Sequence, residues 1–265
     1  YIIMADNSTQ TTEKKPKAGE MKSLAKDTAI YGLSSIIGRF LNYLLVPLYT
    51  AQISAASGGY GVITNLYAYT ALLLVILTYG METTFFRFIN KQGEDAEKVY
   101  PTVLAMVGST SLAFIILVLV FIHPLSAAMG YADHPSYVWT MFVTVAIDAF
   151  QCIPFAYLRY RRKPIKFASL KLLFIMLNIT LNVVYYVVLN GHEVGYAFYI
   201  NLVCTASITF CFYKELKEGI KGKLVKWSEM KLLAGKMLSY SWPILVLGIA
   251  GILNQTADKI LFPYI

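Results

Sequence analysis

From Thr28 onward the chain alternates long apolar runs with short polar punctuation. A bilayer core is crossed by about 20 mostly apolar residues in a helix. On that measure the hydrophobic pattern predicts seven spans, at residues 28–49, 62–89, 99–122, 138–158, 167–189, 196–212 and 238–260. The connections are rich in turn residues, as in SAASGGYG, KQGEDAEK and NGHEVG. Residues 1–27 are polar, basic and without periodicity, the mark of a disordered tail. The first run is too long for the h-region of a signal peptide, about 7–15 residues, and it carries Arg39, so it reads as a retained helix.

Lysines and arginines fall in alternate connections. The N-terminal tail, the second connection, the fourth (RYRRKPIK) and the sixth (residues 214–237) are basic, whereas the first, third and fifth contain no Lys or Arg. This asymmetry places the N-terminus on the cytoplasmic side. The expected fold class is therefore an all-α polytopic membrane protein. Its organisation is a disordered basic tail over 1–27, a six-helix transmembrane lobe over 28–213 and a basic cytoplasmic connection over 214–237. A seventh helix over 238–265 starts a second lobe that the sequence leaves truncated.

Composition sharpens this. Hydrophobic residues make up 57% of the chain and charged ones 14%, with a mean hydropathy of +0.56. Soluble domains carry roughly 25% charged residues. The net charge of +8 is divided among the basic connections, and no contiguous basic face suggests a nucleic-acid partner. Cys152, Cys204 and Cys211 lie in or beside apolar spans, and His123, His134 and His192 are scattered, so neither disulfides nor a metal site is expected.

Several polar residues nevertheless fall within the apolar runs. A helical rise of about 1.5 Å per residue puts Arg39, Asp148 and Asn178 roughly 16 Å from the inner boundary, and Glu82 roughly 12 Å from it. Such groups cost a few kcal/mol each when they face lipid, so they must face one another or water. Ser35, Arg39, Asn42 and Tyr43 share a helix face. Two readings stay open: a buried ion pair of Arg39 with Asp148 or Glu82, or a substrate path. Glu82, Asp148 and Asp258 are the candidates for ion coupling or ion pairing, Asp258 lying near the outer end of its span. Lys171 is expected to snorkel toward the cytoplasmic surface. No GxSxG, Walker or HExxH motif occurs, so the chain reads as a non-enzyme without cofactor or metal.

The stretches GGYGVITNLYAY and YGMETTFFRF, with Gly59-Tyr60-Gly61 and Gly80 to Arg87 carrying most of the signal, resemble the polysaccharide-exporter branch of the multidrug/oligosaccharidyl-lipid/polysaccharide exporter superfamily. That resemblance implies a transporter that flips a polyprenyl-diphosphate-linked oligosaccharide across the bacterial cytoplasmic (inner) membrane by alternating access, for O-antigen, lipopolysaccharide or similar surface glycans. It further implies membrane lipid and the lipid-linked oligosaccharide as partners, with glycan polymerase machinery as a further candidate. Substrate contacts are expected at Arg39, Asn42, Arg87 and Asn178, because an arginine fork suits a diphosphate. The rival readings are a drug/cation antiporter of the same superfamily and a non-transporting membrane scaffold.

The topology is directly testable. A cysteine at Ser57 should react with an impermeant thiol reagent on intact cells, and one at Gly93 should not. The reverse pattern would invert the assignment.

Overall fold

The computed structural model describes residues 26–33, 36–37, 45–53, 59–91, 96–221 and 227–261. Regular structure within them is entirely helical. After a helical stretch at 26–33 come α1 (Leu45–Gln52), α2 (Gly59–Thr78), α3 (Met81–Ile89), α4 (Ala96–Val120) and α5 (Ile122–Ala128). They are followed by α6 (Pro135–Tyr160), α7 (Pro164–Val183), α8 (Gly195–Cys211), α9 (Tyr213–Lys221) and α10 (Trp227–Leu261). One π-helical turn, Val184–Val188, extends α7.

Among the described residues, five helical stretches are long and apolar enough to cross a membrane, or six if the bent pair α8–α9 counts as one. The expected first span lies largely outside the described residues. Three boundaries differ from the hydropathy pattern. The second stretch is broken at Tyr79 and Gly80, whose φ angles of 33° and 70° interrupt the helix between α2 and α3. The sixth bends by 58° into α9. The last helix begins at Trp227 rather than near residue 238, so much of the expected connection is helical. Hydropathy misses these residues because the sequence YKELKEGIK is amphipathic: it buries one face and never scores as a span.

Prolines open α6 and α7, where the first-turn N–H they lack would have no partner anyway. Of all the spans, α6 is the central one: 72% of its apolar window is buried, against 11–33% in the others. It packs against α2, α4 and α8. Fully buried Ala146, Ala149 and Ala156 keep its side chains short where neighbouring backbones approach. Because lipid reaches little of α6, polar residues on it must point into protein or into a cavity.

At the end of the lobe that carries the basic connections, α9 is strapped down. Glu215 is only 1% exposed and receives hydrogen bonds from Lys166 Nζ at 2.6 and 2.8 Å. Tyr100 donates to the Glu215 carbonyl at 3.1 Å, and Tyr157 donates to Glu218 at 2.8 Å. The Tyr100 and Tyr157 rings stack with centroids 3.8 Å apart. Lys98 and Glu229, 2.8 Å apart, tie α4 to α10.

The junction of α2 and α3 meets α10 tightly. A Cβ on Gly80 would lie 2.8 Å from Ile244 Cγ2, on a backbone already in the left-handed region. Gly80→Ala should therefore cost about 1–2 kcal/mol in conformation and about 1–3 kcal/mol in overpacking. A lowered thermal midpoint of the purified protein is the expected result, with Gly80→Ala/Ile244→Ala less destabilised than the two single effects added. Strict additivity would contradict the close approach.

Candidate functional site

On α6, Asp148, Gln151, Cys152, Phe155 and Arg159 recur at spacings of three and four residues and so share one face. On α7 the matching face carries Lys171, Phe174, Asn178 and Asn182. Two cavities lie along these faces. The one nearer the basic end has a volume of about 560 Å³ and is lined by Glu82, Asp148, Gln151, Arg159 and Lys171 among apolar neighbours. The second, about 310 Å³, lies toward the opposite end and is lined by Tyr49, Tyr60, Tyr67, Asn178 and Asn201. Asp148 and Phe174 line both, so they form the partition between the two chambers.

The basic-end chamber holds two cations and two acids. Arg159 Nη2 donates to Glu82 Oε1. Its guanidinium also lies over the rings of Phe86 and Phe167, at 5.1 and 5.9 Å from the centroids. Arg159 Nε is buried and has no hydrogen-bond partner among the described residues. Lys171 Nζ sits 4.1 Å from the centroid of Phe155 and interacts electrostatically with Asp148. Rather than snorkelling out of the lobe, Lys171 lines the chamber. Helix α8 answers this face: Gln151 Nε2 donates to the Thr205 carbonyl and to Thr209 Oγ1, both at 2.8 Å, and the Thr205 side chain donates through Oγ1 to Asp148 Oδ1 at 3.2 Å.

Apart from Asp148, the polar groups that the described residues bring to and around the other chamber are neutral. Tyr49 donates to Asn182 Oδ1 at 2.8 Å, and Asn182 Nδ2 donates to the carbonyl of Asn178 at 2.8 Å. Asn201 Nδ2 donates to the Tyr67 hydroxyl at 3.1 Å.

The sequence candidates distribute as follows. Asp148, Glu82 and Asn178 all line the chambers. Glu82 pairs with Arg159, and its expected pairing with Arg39 falls outside the described residues. Arg39, Asn42 and the side chain of Asp258 lie outside the described residues. Arg87, the other expected substrate contact, lines neither of these two chambers: it is exposed, and its guanidinium stacks 4.1 Å over Tyr240, joining α3 to α10. Sequence reasoning missed Arg159 because it fell at the predicted span boundary and was counted as a topology signal. Lys171 was missed too, although its spacing of seven from Asn178 marks a common face. Among the described residues, no group of three or more His, Cys, Asp or Glu is placed to hold a metal ion.

Compared with protein-family models, curated proteins and solved structures, the chain matches no family model, no curated protein and no solved structure.

The Glu82–Arg159 pair sets a testable coupling. Arg159→Met removes the partner of a half-exposed carboxylate and should cost about 0.2–1 kcal/mol, read as a lower thermal midpoint. Arg159→Met/Glu82→Gln should recover most of that loss. A double variant no more stable than the single one would show that the pair does not carry this energy.

Proposed function

We propose that this chain forms the substrate-path lobe of a membrane transporter that flips a polyprenyl-diphosphate-linked oligosaccharide by alternating access. The observation that carries this reading is a charged cavity between apolar helices, where Arg159 Nε is buried without a hydrogen-bond partner among the described residues. Charges at membrane depth are expensive, and a buried ion pair stabilises poorly compared with apolar packing. Four such groups around one cavity make more sense as a path for a charged solute than as a structural device.

The arrangement suits a doubly charged headgroup. Arg159 offers a planar fork for paired, charge-assisted hydrogen bonds, and Lys171 adds a point charge on the facing helix. Glu82 answers Arg159, which avoids an unpaired guanidinium. An entering diphosphate competes with Glu82 for the same donors and frees the carboxylate. Exchange of one anion for another keeps the local charge nearly balanced, so entry avoids the full desolvation penalty of a bare cation. Phe174 and Asp148, shared by both chambers, stand where alternating access requires a gate. Arg39 remains a candidate by its depth on the first predicted span, and the family resemblance supplies the substrate class.

A second reading, a cation antiporter, draws on Asp148: a carboxylate lining a chamber with Tyr60 and Tyr67 also suits an organic cation.

Complementation of a surface-glycan export defect by the full-length protein separates the two. Under the flippase reading, Arg159→Ala should lower export about tenfold to a hundredfold, the size of one lost charge-assisted contact, and Arg159→Lys should recover part of it. Normal export by a well-expressed Arg159→Ala variant, alone and combined with Arg39→Ala, would sink this reading. Resistance to cationic drugs that depends on Asp148, without glycan export, would establish the antiporter instead.

A further inference from the structure

The two chambers differ in chemistry as well as in position. Among the described residues, the cations lining them, Arg159 and Lys171, lie in the basic-end chamber. Beyond Phe174 the polar lining that the described residues supply consists of tyrosines and asparagines, with Asp148 as the floor. Tyr67 lines this chamber and is 39% exposed. The hydrogen bond from Asn201 fixes that ring in place.

We propose that this second chamber is a sugar subsite that holds one pyranose ring of the glycan, stacked on Tyr67 and hydrogen-bonded by Asn201 and Asn178. A pyranose has apolar C–H faces, which pack on aromatic rings, and a rim of hydroxyls that both donate and accept. An asparagine amide carries two donor hydrogens and an acceptor oxygen, so it can bond adjacent hydroxyls at once. Asn201 uses one of its two donors on Tyr67. Its second N–H and its carbonyl oxygen remain as bonding capacity toward a ligand. Asp148, at the floor, is an acceptor for a further hydroxyl.

Size restricts the occupant. Ligand pockets generally range over roughly 300–1,000 Å³, and this chamber, at about 310 Å³, has room for a single ring. A phenol cage with a carboxylate also suits an organic cation. Here, however, Asp148 accepts a hydrogen bond from Thr205 and is answered electrostatically by Lys171. Neutral amides dominate what is left, which favours a polyol. The order of the chambers, cationic and then neutral, matches the order of diphosphate and sugar in a lipid-linked glycan. The source of the sugar rests on the flippase reading, but its recognition by Tyr67 and Asn201 does not.

Saturation-transfer NMR on the purified chain tests the subsite, with methyl α-glucopyranoside and methyl N-acetyl-β-glucosaminide as sugar probes and tetraphenylphosphonium as the cation probe. Saturation is expected on the ring-face C–H protons of at least one sugar. Tyr67→Ala and Asn201→Ala should each weaken its binding by about tenfold, the equivalent of one lost stacking or bonding contact. Tyr67→Phe, which keeps the ring, should retain more than Tyr67→Ala, and Tyr213→Ala on the exposed α9 surface should change nothing. Thermal midpoints confirm that each variant is folded. If Tyr67→Ala fails to fold, Tyr67→Phe and Asn201→Ala decide the matter, and unchanged sugar contact in both overturns the subsite. So does the absence of saturation on either sugar, or saturation of tetraphenylphosphonium in their place. Sugar contact that depends on Tyr67 in a protein without glycan export would remove only the flippase reading. Export without such contact would remove only the subsite.

Discussion

A membrane helix cannot turn a carboxylate and a guanidinium toward hydrocarbon, and α6 carries both on one face, at Asp148 and Arg159. That constraint organises the lobe. It puts α6 at the centre, with α2, α4 and α8 around it. The charged face must then meet partners: Glu82 comes from α3, Thr205 from α8 and Lys171 from α7. Apolar clusters at either end, built around Phe85 with Val103 and around Phe142 with Phe198, close the rest of the interior.

The break at Tyr79 and Gly80 serves the same requirement. An uninterrupted helix from Gly59 to Ile89 would hold Glu82 in strict register with α2. The left-handed residues at 79 and 80 re-aim α3, and its Glu82 reaches Arg159. Gly80 also permits the close approach of α10, which is otherwise little buried in the lobe. One glycine thus links the position of an acid in the chamber to the seat of the last helix. Nearby, Arg87 stacks on Tyr240 and reinforces that seat.

Function follows from how charge is divided. Ion pairs that only hold helices together need no cavity. Here Glu82–Arg159 and the Asp148–Lys171 interaction border about 560 Å³ of open space, and a neutral aromatic and amide chamber adjoins it. Under the proposed flippase reading, the partition at Asp148 and Phe174 separates a region suited to phosphate from a region suited to hydroxyls.

Much of this was legible in the chain. Apolar run length foretold an all-helical architecture with membrane-capable helices, because the cost of unsatisfied backbone in hydrocarbon leaves little choice. Depth along those helices singled out Glu82, Asp148 and Asn178, which do line the chambers. Pairing was not legible. The partner of Glu82 depends on which helices become neighbours and on a left-handed break that hydropathy cannot register. Arg159 at a predicted boundary looked like a topology signal, and Lys171 like a side chain bound for the interface. Arg87, equally basic, went to the surface instead. Sequence fixes which residues carry charge and how deep they sit, since helical rise is constant. Which charges meet, and around what space, was decided only by the tertiary structure, because side-chain partners are set by the packing of helices far apart in the chain.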